Sequence, residues 1–225
     1  MGEEFFAGMC LVGLERIPEA IPYLEAVLSS DFSIPDPLML KYGVGGAMGI
    51  GVTPTVSVTV PMSNLAVALM LAEAYQSTDQ RQKAVELLES LGTEAPAELV
   101  FALSLADLYF EAAQWDDVVR VTEGIQTNED DVTLSILTFR AYALNELGMT
   151  EAALALTKEA LRTKKRNPDL LRFARYVRGR AYEKAGKASM ARKEYEKIYA
   201  EDANYSDVAK RLAVTAPAAP PRPDV

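Results

Sequence analysis

Small residues recur along this chain at a spacing that an ordinary globular core does not require. Ala20, Ala84, Val118, Ala153 and Ala191 follow one another at intervals of 64, 34, 35 and 38 residues. A second small series runs ahead of the first, at Gly8, Ala72, Ala106, Ala141 and Gly179. Two helices approach closely only where Gly or Ala leaves room for the opposing backbone, and a bulky residue must then fill the gap between layers. Repetition of that arrangement at nearly constant intervals specifies stacked helix pairs, each covering the apolar face of its neighbour. A plain helical bundle would share the amphipathicity but has no reason to repeat its small residues.

The helix pairs read as Leu65–Gln76 with Arg81–Leu91, Leu99–Glu111 with Trp115–Ile125, Leu134–Leu147 with Thr150–Leu161, and Arg172–Ala185 with Ser189–Tyr199. In the first helix of each unit the residue before the small one is large in four of the five pairs, Leu71-Ala72, Leu105-Ala106, Arg140-Ala141 and Arg178-Gly179, with Ala7-Gly8 the exception. A Tyr or Leu follows one turn later, at Leu11, Tyr75, Tyr109, Leu144 and Tyr182. These positions resemble the tetratricopeptide repeat, a unit of about 34 residues. Departures from that pattern are the terminal Pro, kept only as Pro96, a missing first-helix aromatic, and Val118 with Thr122 where Ala and an aromatic are usual.

The resemblance implies an all-α fold, a right-handed superhelix of about five helix-turn-helix repeats over about residues 1–32, 65–98, 99–132, 134–167 and 172–205. Residues 206–214 are expected to form a short helix that caps the last apolar face. The Pro/Ala-rich tail, 215–225, is expected to be disordered. The whole pattern is similar to that of tetratricopeptide repeat proteins of high-GC Gram-positive bacteria.

Between the first two units, over 33–61, helical periodicity gives way to alternation. Pro35 and Pro37 stop the preceding helix, and Gly43, Gly45, Gly46, Gly49 and Gly51 oppose a new one. Met48, Ile50 and Val52 share one strand face, and Val56, Val58 and Val60 share another. Both sets lie on one face of a hairpin only if the loop holds an odd number of residues, most simply Thr53-Pro54-Thr55. Leu38–Tyr42 is a candidate third strand. The apolar face is expected to pack on the first two repeats or to serve assembly with a second copy, because an isolated hairpin is marginal without cover. Its glycines do not make a nucleotide site. No Gly-Lys-Ser/Thr opens a helix here, and the Gly43–Gly49 run is one residue too long for the dinucleotide fingerprint.

The sequence contains one cysteine, Cys10, and no histidine. That removes an internal disulfide, a Ser-His-Asp or Cys-His pair and an imidazole metal ligand, so neither a cofactor nor an enzymatic activity is expected. Apolar runs are too short for a membrane span, and the acidic start, Glu3 and Glu4, is unlike a secretory signal, so a cytoplasmic protein is expected. Net charge is −9 but uneven: residues 1–157 hold 6 Lys/Arg and 23 Asp/Glu, whereas 158–225 hold 17 and 9.

The resemblance further implies that the first helix of each unit lines a groove for a peptide or helix of a protein partner. The positions carried over are Phe5, Met9 and Val12; Leu69, Glu73 and Gln76; Leu103, Asp107, Phe110 and Glu111; Thr138, Tyr142, Asn145 and Glu146; and Arg172, Tyr176, Arg180 and Glu183. The two-carboxylate clamp known in the family needs Lys, Asn and Arg where Phe5, Met9, Leu69 and Glu73 stand, so chaperone C-termini are not the expected ligand. An adaptor is therefore the leading expectation, with a homodimer through the hairpin as an added one. The alternative is nucleic-acid or anionic-membrane binding by the basic segment from Lys158 to Arg180, disfavoured by the acidity of the rest.

Overall fold

The computed structural model describes residues 2–30, 34, 39, 41, 45–92, 99–126 and 129–215. The expectations placed on Pro35, Pro37, Gly43, Pro96 and 216–225 lie outside these residues. The chain divides into two compact units, Met1–Ala113 and Gln114–Val225.

In the first unit α1 (Gly2–Gly13), α2 (Ile17–Leu28), α3 (Asn64–Ser77), α4 (Arg81–Gly92) and α5 (Leu99–Glu111) form successive antiparallel layers. Helix α2 packs against both α1 and α3, and α4 against both α3 and α5. In the second unit α6 (Trp115–Val121) is followed by α7 (Asp131–Glu146), α8 (Thr150–Ala160), α9 (Pro168–Lys184), α10 (Ala188–Glu201) and α11 (Val208–Val214). Helix α7 touches α6, α8 and α9, and α10 lies between α9 and α11.

The two small series perform the packing their spacing implied. Ala20, Ala84, Val118, Ala153 and Ala191 have no exposed surface at all. Their first-helix counterparts Gly8, Ala72, Ala106, Ala141 and Gly179 are buried as well. At Gly179 a Cβ would stand 2.5 Å from Cε1 of the fully buried Tyr195, so α9 and α10 approach as they do only because it is glycine. At Gly8 a Cβ would meet Leu24 Cδ2 at 2.9 Å.

The turn between paired helices repeats too. Glu15, Asp79, Ala113, Gly148 and Gly186 all have positive φ, between 55° and 84°. The residue after the turn donates its N–H back to the Tyr/Leu position, as Arg16 to Leu11 O (2.9 Å), Gln80 to Tyr75 O, Met149 to Leu144 O and Lys187 to Tyr182 O (each 2.8 Å). This closure satisfies carbonyls that a helix end otherwise leaves unpaired. At helix starts, Ser63 accepts from the Ala66 N–H, and Asp130 with Thr133 forms a reciprocal cap on α7.

The insertion is a two-stranded antiparallel hairpin, β1 (Ala47–Thr53) and β2 (Val56–Pro61). Met48 faces Val60 and Ile50 faces Val58, which puts both apolar sets on one face. The loop differs from the three-residue expectation. The register shifts after Gly51, so that Thr53 pairs with Val56 and the turn proper is Pro54-Thr55. Thr53 Oγ1 accepts from the N–H groups of Thr55 (3.3 Å) and Val56 (3.1 Å), supplying locally what a glycine would otherwise allow. Of the candidate third strand only Met39 and Lys41 are among the described residues, and both are helical; the sheet has two strands among the described residues.

Candidate functional site

The hairpin decides which groove positions of the first unit remain open. β1 packs on α3 and α5, the first helices of the second and third repeats, so of the two repeats expected to cover it the second does so and the third joins it. Ile50, Val52, Val56 and Val60 are buried, whereas Met48 and Val58 stay half-buried at the margin. Leu69 and Asp107 are only 3% and 5% exposed and Leu103 is fully buried, so these expected groove residues present no surface to a partner in this structure. Phe5 is fully buried in the core, and Phe110 is half-buried.

Between α1, β1 and α3 the cover is incomplete among the described residues. A cleft of about 440 Å³ opens there, lined chiefly by Met9, Val12, Ile17, Met48, Ile50, Met70 and Glu73. Glu73 Oε1 stands where a Cβ on Gly51 would be 3.8 Å away, so the carboxylate borders the strand. Desolvation, then the negative charge of Asp107, raises the Glu73 pKa. Asp107 is pushed up to about 6, first by burial and also by Glu111, while the hydrogen bond donated by Gln76 Nε2 to its Oδ2 (3.0 Å) opposes the rise. Glu111 is held by Arg81 at 3.4 Å.

In the second unit the expected groove residues are tied to one another. Arg180 donates to the Tyr142 hydroxyl and to Glu146 Oε1 (2.9 Å), and its guanidinium lies 4.6 Å from the centre of the Tyr142 ring. Lys184 Nζ donates to Asn145 O at 2.7 Å and approaches Glu146 at 3.3 Å. Tyr142 also neighbours the rings of Trp115 (5.4 Å) and Phe173 (6.3 Å). Tyr176 is covered from the C-terminal side: its hydroxyl donates to Asp207 Oδ1 (2.8 Å) and Arg211 lies over its ring. Thr138 is buried and gives its hydroxyl to Leu134 O (2.8 Å).

The basic segment is largely neutralised. Arg162 pairs with Glu159, Arg172 with Asp169 and Glu201, Arg175 with Glu201, and Arg178 with Glu194. Lys158, Lys164 and Lys165 are exposed. Arg140, at the first-helix Leu position, is buried and donates to the carbonyls of Thr122 (2.6 Å) and Ile125 (2.5 Å). It closes the end of the short α6, where the usual second-helix aromatic is replaced by Thr122.

Stacked antiparallel pairs, small residues at every crossing and a repeated turn define a helical protein of tetratricopeptide type. The family profile of the type VII secretion protein described as "T7SS, ESX-1 secretion system protein EccA1, N-terminal domain" matches residues 46–218, and the chain belongs to that family. The crystal structure of the N-terminal domain of the EccA1 ATPase of Mycobacterium tuberculosis superposes with a TM-score of 0.60 at 20% identity, over 75% of this chain and 62% of that one. This chain therefore spans less than two thirds of that domain. A tetratricopeptide repeat protein of Parabacteroides merdae gives a TM-score of 0.69 at 13% identity, covering 95% and 71% of the two chains. One from Thermus thermophilus gives 0.52 at 16%, covering 95% and 97%. No curated protein matches the sequence. Folds of this type are typically non-catalytic and act through protein contacts, and no helix among the described residues is long and apolar enough to cross a membrane.

Proposed function

We propose that this chain is a non-enzymatic adaptor that binds a segment of another protein, and that it does so in the service of a type VII secretion system. The observation that carries this reading is the match over 46–218 to a domain named for ESX-1 secretion. It takes in the hairpin and the repeats that follow, so the likeness extends beyond the generic repeat. The layered helices expose apolar and charged side chains on fixed, rigid elements, which suits recognition of a peptide or helix. The pairing of the C-terminal arginines favours this over nucleic acid or anionic lipid, both of which need unpaired cations on one face. Assembly through the hairpin would require its apolar face to leave α3 and α5, at the cost of exposing Leu69 and Leu103.

The test is capture and export in the source cell. Tagged full-length chain, cross-linked in living cells, should recover proteins exported by the type VII apparatus, and loss of the chain should lower their export. Recovery of unrelated proteins, with export unchanged in the deletion strain, would sink the reading.

A further inference from the structure

The cleft between α1, β1 and α3 is not a packing defect. The apolar face of the hairpin is already satisfied on α3 and α5, yet Met9, Val12, Ile17 and Met48 around the opening remain half-exposed. A volume of about 440 Å³ falls within the usual range for ligand clefts rather than packing voids. Three of the lining side chains are methionines, Met9, Met48 and Met70. Their unbranched thioethers adapt to aliphatic or aromatic shapes of more than one size. Glu73 is the one charged residue of the lining among the described residues. Gly51 and, two residues earlier on the same strand face, Gly49 put no side chain between β1 and the carboxylate, which a Cβ on Gly51 would meet at 3.8 Å. The surroundings reinforce the sign: residues 1–113 hold 4 Lys/Arg against 15 Asp/Glu.

We propose that this cleft docks a protein segment that inserts a bulky aliphatic or aromatic side chain among the methionines and sets a Lys or Arg, within about one helical turn of it, against Glu73. The proposal rests on the adaptor reading and names the chemistry of its partner. A second copy of this chain is a poor occupant, because two first units would bring together like charge. The apolar side chain supplies the area removed from water. The charge pair selects among apolar segments, since an acidic one would set like charge against Glu73.

The probe is a displayed library of random peptides of about 12 residues, long enough for about three helical turns, selected against the full chain and in parallel against Glu73→Lys. Enriched peptides should carry a Leu, Ile, Met or Phe with a basic residue within about four positions. Their affinity should fall at least about tenfold on Glu73→Lys and weaken as salt rises. With methyl-labelled methionine, such a peptide should shift the resonances of Met9, Met48 and Met70 and leave Met149 and Met190, on the second unit, in place. An unmoved signal of Met70, which is 8% exposed in the first unit, in the free variant shows that this unit is folded. The proposal is overturned if no peptide is enriched, if enriched peptides lack basic residues or bind Glu73→Lys equally, or if only Met149 or Met190 responds. It also fails if the free chain is a dimer that Glu73→Lys separates. If Glu73→Lys abolishes peptide binding but still captures the cellular partner, the cleft is wrong and the adaptor reading stands. If capture itself yields nothing linked to export, that reading fails independently.

Discussion

Among single residues, the turn between paired helices is the place where this chain departs from what local chemistry prefers. The same left-handed position is Gly148 and Gly186 in the last two repeats but Glu15, Asp79 and Ala113 in the first three. A Cβ in that conformation costs about 1–2 kcal/mol, and glycine avoids it. Exchanging the two residue types should therefore act in opposite directions at equivalent sites. Ala113→Gly is expected to raise, and Gly148→Ala to lower, the free energy of unfolding by about 1 kcal/mol each in urea titrations followed by circular dichroism. A loss of stability in Ala113→Gly would mean that flexibility gained by the unfolded chain outweighs the strain relieved. The contrast also shows what the sequence conceals. At Gly148 and Gly186 the helix stop can be seen by eye, whereas at Glu15 and Asp79 only the regular spacing points to the same turn. The buried series from Ala20 to Ala191 was legible because covalent spacing alone determines which residues meet at each crossing. Arg140 was not, because its carbonyl partners on Thr122 and Ile125 become available only once α6 ends early.

At the level of elements, the hairpin explains most of the distance between expectation and structure. The alternation of Met48–Val52 and Val56–Val60 predicts a shared apolar face, and parity holds across Ile50 and Val58. Alternation does not say where that face is buried, because its destination on α3 and α5 depends on residues far away in sequence. The consequence is chemical as well as steric: Asp107 on α5 becomes 5% exposed beside Glu73 and Glu111. Its folded-state pKa, about 6, lies above the unfolded value near 3.8. The stabilising contribution of the neutral acid is thus complete below about pH 4 and disappears as pH rises through about 6. Asp107→Asn keeps a neutral amide able to meet Gln76 and cannot ionise. The difference in urea-unfolding free energy, Asp107→Asn minus wild type, should grow between pH 4 and pH 7 by up to about 3 kcal/mol. A difference that stays flat across this interval would show that Asp107 is not desolvated in solution.

For the molecule as a whole, charge is distributed in a way the raw sequence overstates. The run from Lys158 to Arg180 looks like a polyanion site when read along the chain. In the folded protein Arg172, Arg175, Arg178 and Arg180 each lie against a carboxylate supplied by another helix, Glu201, Glu194 or Glu146. Those partners stand 16 to 34 residues away and cannot be assigned from composition. Paired guanidinium groups offer a phosphate little net attraction, since binding it would strip them from partners already in place. The lysines Lys158, Lys164 and Lys165 remain exposed, but three cations release too few counterions to outlast physiological ionic strength. Across 114–225 the totals are 19 Lys/Arg and 17 Asp/Glu, while 1–113 is strongly acidic. The full chain should therefore leave a heparin column below about 0.15 M NaCl, where screening already reaches about 8 Å. It should be held by an anion exchanger under the same conditions. Retention on heparin well above that salt, lost on Lys164→Glu with Lys165→Glu, would instead make the loop before α9 an anion-binding surface and return the basic end to contention.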